Sequence, residues 1–105
     1  MGMAILMPLR MTDDHFLRIL REVAEDTSKV KFSRHARERL QERRFTTVQV
    51  LRCIRTGFLY EPVHQDARGD WKCTLRHVWA GDEIKVAVAL KRDGRGDWIA
   101  VLTVF

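Results

Sequence analysis

A histidine and two arginines recur at one-turn intervals in residues 32–45, whose sequence is FSRHARERLQERRF. On a helix that turns about 100° per residue, His35, Arg39 and Arg43 fall on one face. RNA cleavage without a metal needs a group that removes the 2′-hydroxyl proton, a proton for the leaving oxygen, and positive charge at the phosphate. Histidine can serve either proton transfer near neutral pH, and arginine supplies the charge. The spacing therefore favours, as a hypothesis, an RNA-cleaving site on this helix.

The net positive charge is concentrated in the same part of the chain. Between positions 34 and 55 there are seven arginines and two glutamates, whereas the remaining residues carry twelve basic and twelve acidic side chains. A guanidinium is planar, stays charged and matches phosphate oxygens, so Arg34, Arg37 and Arg44 are further candidates for contact with RNA. The alternative is a solvated helix face, because arginine is a good helix former whose aliphatic stem covers apolar surface.

Two histidines that could do chemistry have structural interpretations as well. His35 could instead hydrogen-bond the neighbouring backbone at a helix start. His77 lies in a segment whose alternate residues are apolar, where it could be a hydrogen-bonded core residue or a second acid/base group that contacts RNA. No two histidines or cysteines have the spacing of metal ligands, so no metal site is expected.

The cysteines and tryptophans are more typical of a core than of a site. Cys53 and Cys73 are expected to be unpaired, buried, small hydrophobic residues. Trp71, Trp79 and Trp98 could stack on exposed bases, but large aromatic residues in strands more often build a core, which is the role expected here.

Three short helices are expected in residues 12–57. Thr12, Ser33 and Thr46 each precede a segment with helical spacing of apolar residues or with strong helix formers, and each can cap the helix that follows. Gly57 stands where a left-handed residue would end the third helix. Only an extended connector is expected between the first two helices, over residues 29–32.

Residues 58–105 have the period of strands instead. Apolar residues alternate within short segments that are separated by glycine-containing turns. Helices first and hairpin-linked strands second predict an α+β fold, with three N-terminal helices packed on a roughly four-stranded antiparallel sheet. The expected strands are residues 58–63, 71–79, 84–90 and 98–104, with turns at 81–82 and 93–97.

Length and composition predict one domain over residues 1–105. A chain of 105 residues with 46% hydrophobic residues has room for one core. Residues 1–11 contain four methionines without clear periodicity and are expected to be loosely ordered or to pair at an edge. The sequence has no run of about 18 apolar residues, the length needed to span a membrane. Residues 1–10 are unlike a secretory leader, so a cytoplasmic protein is expected.

The chain resembles a bacterial family of unknown function with the motif F-S-x-H-A-x-x-R-x-x-x-R followed by a small helix and an antiparallel sheet. The matching residues here are Phe32, Ser33, His35, Ala36, Arg39 and Arg43. The resemblance continues through the third helix to the closing strand, residues 101–104. Where the family usually has glycine after the second motif arginine, this chain has Arg44.

That family is grouped with the RelE and BrnT type of ribonuclease toxins, so the resemblance implies RNA cleavage without a metal or cofactor. It also implies a partner antitoxin protein. Carried over residue by residue, it marks His35, Arg39 and Arg43 as site residues and Thr103 as a weaker one.

Two other functions fit the same residues. One is a non-catalytic RNA- or DNA-binding module that uses the arginine face. The other is a protein-interaction or inhibitor domain whose basic helix face engages an acidic partner. The sequence gives no RNA preference, ribosome dependence, antitoxin identity or oligomeric state.

Overall fold

The structure is a computed structural model and describes residues 12–105. The expectation of loose order for residues 1–11 lies outside the described residues. The elements in chain order are α1 (Asp13–Val23), a 3-10 turn (Thr27–Lys29), β1 (Val30–Phe32), α2 (Arg34–Arg43), α3 (Thr47–Thr56), β2 (Phe58–Gln65), β3 (Trp71–Trp79), β4 (Asp82–Asp93) and β5 (Gly96–Val104).

Each helix starts directly after the hydroxyl residue that the sequence predicts as its cap. The Thr12 side chain accepts from the backbone amide of the third helical residue of α1, and Ser33 does the same for α2 at 3.0 Å. Thr46 and Gln49 form a reciprocal capping box at the start of α3. These caps satisfy amide groups that have no partner inside the helix, which fixes where each helix begins.

The five strands form one mixed sheet in the order β1-β5-β4-β3-β2. Strands β2 to β5 are antiparallel neighbours, as predicted, but β1 pairs in parallel with β5 at the edge. The α+β prediction is thus correct at the level of fold class. It is inexact in strand number, in an all-antiparallel sheet and in placing every helix before every strand. Three residues are too few to show the alternation that predicts a strand. The pairing partner of β1 also lies almost 70 residues later in the chain, so no nearby residue indicates it.

The turn between β3 and β4 lies one residue earlier than expected. Ala80 and Gly81 form it, with φ angles of 56° and 84°, and Trp79 pairs directly with Asp82. Two successive positive φ angles are what a two-residue hairpin turn requires, because its twist then matches that of the flanking strands. The turn therefore places the side chains of Trp79 and Asp82 side by side at this end of the sheet.

A single core lies between the helices and one face of the sheet. Its fully buried side chains include Phe16 and Leu20 of α1, Val50 and Ile54 of α3, and Leu75 of β3. The other buried members of the cluster are Ala24, Val30, Ala36, Leu40, Cys53, Cys73, Ile84, Val86, Val88, Ile99, Val101 and Val104. The expected burial of both cysteines is confirmed, and both are free thiols.

The expected left-handed conformation at Gly57 is wrong. Its φ and ψ angles are −73° and 168°, which is extended backbone. A Cβ atom at this position would lie 2.5 Å from the backbone oxygen of Cys53 and 2.9 Å from that of Arg76. Glycine is needed there because α3 and β3 approach too closely for a side chain. The left-handed helix end occurs instead at Arg44, with φ 59° and ψ 36°.

Candidate functional site

Helix α2 is held against the open edge of β5. Strand β1 pairs with β5 only as far as Val101, and α2 follows β1 after the single residue Ser33. The backbone amide of Ser33 donates to the Val101 oxygen at 3.0 Å, and its hydroxyl donates to the Leu102 oxygen at 3.0 Å. Arg39 Nε then donates to the Val104 oxygen at 3.3 Å. Helix α2 thus continues the edge pairing that β1 begins, which fixes its position on the sheet.

The structure places the three predicted catalytic residues on successive turns of α2. His35 is exposed in the first turn, and Arg43 is exposed in the last. Arg39 lies between them and is only partly accessible, with 27% of its side chain exposed. Besides its bond to Val104, Arg39 donates from Nη1 to Glu42 Oε1 at 3.1 Å. His35 and Arg43 are therefore open to a ligand, whereas Arg39 is already engaged.

The further arginines expected to contact RNA differ in the contacts that their guanidinium groups make. Arg34 forms an ion pair with Glu38 one turn away, with 94% of its side chain exposed, so the pair is a weak surface contact. The guanidinium of Arg37 lies 5.9 Å from the centre of the Phe32 ring. Arg44 is exposed at the left-handed end of α2. All three side chains leave guanidinium donors available at the surface.

Thr103 lies between Leu102 and Val104, whose main-chain oxygens accept from Ser33 and Arg39. It pairs with Ala87 of β4, between the fully buried core positions Val86 and Val88. Because paired residues share a face and neighbours along a strand alternate, the Thr103 side chain lies on the sheet face away from the helices. Thr103 thus lies next to the α2 contacts along β5, with its side chain on the sheet face opposite the core.

His77 is neither fully in the core nor beside His35. It pairs with Ile84 near the end of β3, is half-buried, and lines a small pocket between the β3–β4 hairpin and α3. The residues around this pocket are Phe45, Gln49, Arg52, His77, Trp79, Asp82 and Ile84. The structure thus groups His77 with residues that the sequence did not mark, and Gln49, Arg52 and Asp82 are the polar ones.

Trp79 corrects the expectation that all three tryptophans build the core. Its side chain is 54% exposed, and the guanidinium carbon of Arg52 lies 3.5 Å from the centre of its ring. Trp71 does pack against the core, and Trp98 is half-buried beneath the ammonium of Lys31. Trp79 is the last residue of β3, beside a tight turn, and that position is the sequence signal for its exposure.

Part of the concentrated positive charge is used inside the fold. Arg55 of α3 donates twice to the carbonyl oxygen of Ala24, at the end of α1, with distances of 3.2 and 2.8 Å. Arg21 of α1 donates in return to the oxygens of Ile54 and Gly57 at the end of α3. The two helices therefore cap each other's C-termini, where cations are favoured. Arg55 should not be counted with the arginines available to a ligand.

The resolved pKa shifts lie away from the α2 surface. Burial raises the pKa of the Cys53 thiol and of the Cys73 thiol to about 12 each. A hydrogen bond from Lys72, with further backbone donors, lowers the pKa of Asp66 to about 2.

No group of three His, Cys, Asp or Glu side chains within residues 12–105 is arranged to hold a metal ion. None of the helices in that range is both long and apolar enough to cross a membrane.

Comparison with protein families places most of the chain in one of them. The model described as domain of unknown function (DUF4258) matches residues 32–105, which run from the end of β1 through α2, α3 and the rest of the sheet. Helix α1 lies before the matched segment. No curated protein and no solved structure matches the chain. The chain belongs to the DUF4258 family, a domain of unknown function.

Proposed function

We propose that this protein is a metal-independent endoribonuclease that binds RNA along the exposed face of α2. The observation that carries the proposal is the exposure of His35 and Arg43 on one helix face, with the anchored Arg39 between them. Exposed arginines elsewhere on α2 and at its end, at positions 34, 37 and 44, add to the attraction for phosphate.

In this proposal His35 removes the proton from a ribose 2′-hydroxyl. The 2′-oxygen then attacks the adjacent phosphorus, the bond to the 5′-oxygen breaks, and a water molecule gives that oxygen its proton. The products are a 2′,3′-cyclic phosphate and a 5′-hydroxyl end. Arg43 binds the phosphate and stabilises the negative charge that grows during the attack, which is usually the largest contribution to such catalysis. Arg39 contributes its charge and the donors that Val104 and Glu42 leave unused.

The proposed biological role is that of a toxin held by an antitoxin partner. A ribonuclease that cleaves the cell's own RNA must be neutralised, and the basic α2 face is the surface that such a partner would cover. The partner would then carry acidic side chains that pair with the exposed arginines. The resemblance of residues 32–43 to the motif of a family grouped with ribonuclease toxins supports this proposed role.

The direct test is incubation of the purified protein with RNA in the presence of a metal chelator. We expect cleavage by the wild type and a loss of at least about a hundredfold in rate for His35→Ala. His64→Ala is the matched control, since His64 is also an exposed histidine but lies in β2. Cleaved ends should carry a 2′,3′-cyclic phosphate. Intact RNA with the wild type, or equal cleavage by wild type and His35→Ala, would contradict the proposal.

A non-catalytic RNA-binding module is the second candidate. The observation that favours it is the separation of the histidines: His77 belongs to the hairpin pocket, and the lining of that pocket does not include His35. One exposed imidazole can bind RNA without completing an acid/base pair. This function predicts salt-sensitive binding that Arg43→Ala weakens, that His35→Ala leaves nearly unchanged, and that leads to no cleavage.

A further inference from the structure

Arg52 and Trp79 form the shortest cation–aromatic approach within residues 12–105. The Arg52 guanidinium lies 3.5 Å from the ring centre, which is stacking distance, and it comes from α3 while Trp79 ends β3. A tryptophan with 54% of its surface exposed is unusual for a residue that is normally well covered. The pair therefore presents a planar, positively charged stacking surface that is open to solvent.

The pocket beside this pair carries hydrogen-bonding groups of several kinds. His77 contributes an imidazole and Asp82 a carboxylate, while Phe45 and Ile84 supply apolar walls. Gln49 contributes its amide nitrogen, because its side-chain oxygen already accepts from the Thr46 backbone amide at 2.8 Å. Its volume is only about 20 Å³, roughly room for one water molecule, so a planar ligand would lie against the ring rather than enter the pocket. A stacking surface next to donors and acceptors is how proteins hold a base that is splayed out of a single strand.

The pocket adjoins the proposed RNA-binding face along the chain. Phe45 in the pocket wall directly follows the exposed Arg43 and Arg44. The left-handed backbone at Arg44 ends α2 and turns the chain toward α3, which supplies Arg52. Phosphates bound along the last turn of α2 would thus lead the strand toward the Phe45 side of the pocket that Trp79 also lines.

We infer that Trp79 and Arg52 hold one unpaired nucleobase of an RNA strand, with the base edge facing His77, Gln49 and Asp82. This inference rests on the proposed function, since it takes RNA as the ligand. It adds that the protein selects single-stranded RNA, because a base inside a duplex cannot offer its face to the tryptophan. Arg52 has two roles, stacking on Trp79 and reaching the phosphate of the bound nucleotide.

The test is fluorescence anisotropy with labelled 2′-O-methyl RNA, which the proposed 2′-hydroxyl chemistry cannot cleave. One probe is single-stranded and the other is a fully paired duplex of the same sequence. We expect Trp79→Ala to weaken single-strand binding by about five- to a hundredfold, the loss of one stacked base, and to leave duplex binding unchanged. Trp79→Phe should retain most of the affinity. Trp98→Ala is the control, because Trp98 also lies under a cation, but near the start of β5 rather than beside α3.

The outcomes separate this inference from the proposed function. Single-strand binding by Trp79→Ala equal to that of the wild type would overturn the stacking site while leaving RNA cleavage by His35 untouched. Equal affinity of the wild type for both probes would also overturn it. No binding to either probe would overturn both proposals. Trp79→Leu keeps apolar bulk without an aromatic face, so a folded Trp79→Leu protein that binds like the wild type rejects the site even if Trp79→Ala unfolds.

Discussion

The Nε atom of Arg39 donates a hydrogen bond to the main-chain oxygen of Val104, 3.3 Å away and 65 residues later in the chain. This bond joins α2 to the end of β5 beyond the last residue that β1 covers. Since His35 and Arg43 lie one turn to either side, their position relative to the sheet depends on this contact. Arg39 is thus a residue of the candidate site and a structural residue at the same time.

Arg39→Ala and Arg43→Ala should therefore differ in what they change. Arg39→Ala should lower the free energy of unfolding by about 1 kcal/mol through loss of the Val104 hydrogen bond, and it should also weaken RNA binding. Arg43→Ala should leave stability nearly unchanged and reduce the slope of log affinity against log salt by about 0.7 if it removes one phosphate contact. Denaturant titration and anisotropy across a salt series measure the two effects. Equal stability losses for both variants would contradict the assignment.

Arg44 adopts a conformation that suits glycine better than arginine. Its φ angle of 59° is left-handed, which costs an L-residue about 1–2 kcal/mol relative to right-handed backbone. We expect Arg44→Gly to raise the free energy of unfolding by about 0.5–1 kcal/mol, the remainder being lost to the greater freedom of unfolded glycine. Arg44→Ala removes the same charge but keeps the Cβ atom, so it should give no such gain. A gain of equal size in both variants would assign the effect to charge instead.

Gly57 should tolerate no side chain. The nearest backbone oxygens to its would-be Cβ, those of Cys53 and Arg76, belong to α3 and β3 and cannot move independently. We expect Gly57→Ala to lower the free energy of unfolding by about 2–4 kcal/mol. Gly94→Ala is the control, because nothing lies within 4 Å of its added Cβ, and its effect should stay within about 0.5 kcal/mol. A near-neutral Gly57→Ala measured in a thermal melt would contradict the close approach of α3 to β3.

Both thiols should be unreactive while the protein is folded. Burial raises the pKa of Cys53 and of Cys73 to about 12 from an ordinary 9.0. Near pH 8 this lowers the thiolate fraction about a thousandfold, and the thiolate is the reactive form. We expect a thiol-specific chromogenic reagent to react with both cysteines only in denaturant. Rapid labelling of either thiol in the native protein would show that its side chain is accessible.

Asp66 should contribute an acid-dependent part of the stability. Its hydrogen bond with Lys72 and the backbone amides of Asp70 and Arg68 lower its pKa from 3.8 to about 2 in the folded state. Because the folded pKa is the lower one, the contribution is present above pH 3.8 and is lost as the pH falls toward 2. The stability difference between wild type and Asp66→Asn should therefore shrink over this window. A difference that is constant from pH 6 to pH 2 would show that Asp66 is not the titrating group.

Local chemistry made several features predictable. The caps at Thr12, Ser33 and Thr46 act on amides only three residues away, so sequence spacing alone locates the helix starts. Strand β3 was predicted at its observed bounds because alternation along one strand is also a local signal. The common face of His35, Arg39 and Arg43 follows from helix geometry in the same way.

The tertiary structure alone decided which of the candidate site residues are available to a ligand. Nothing near Arg39 in the chain reveals the Val104 carbonyl, and nothing near Arg52 reveals Trp79, because both contacts join elements that are distant in sequence. The parallel pairing of β1 with β5 and the close approach at Gly57 have the same origin. The sequence by itself determined the α+β class, the helix starts and the concentrated positive charge, since propensity, capping and net charge are local or additive. Three features depend on how the elements pack: the parallel direction of β1, the hydrogen bond of Arg39 to Val104, and the exposure of Trp79. That packing is fixed only when the whole sheet forms.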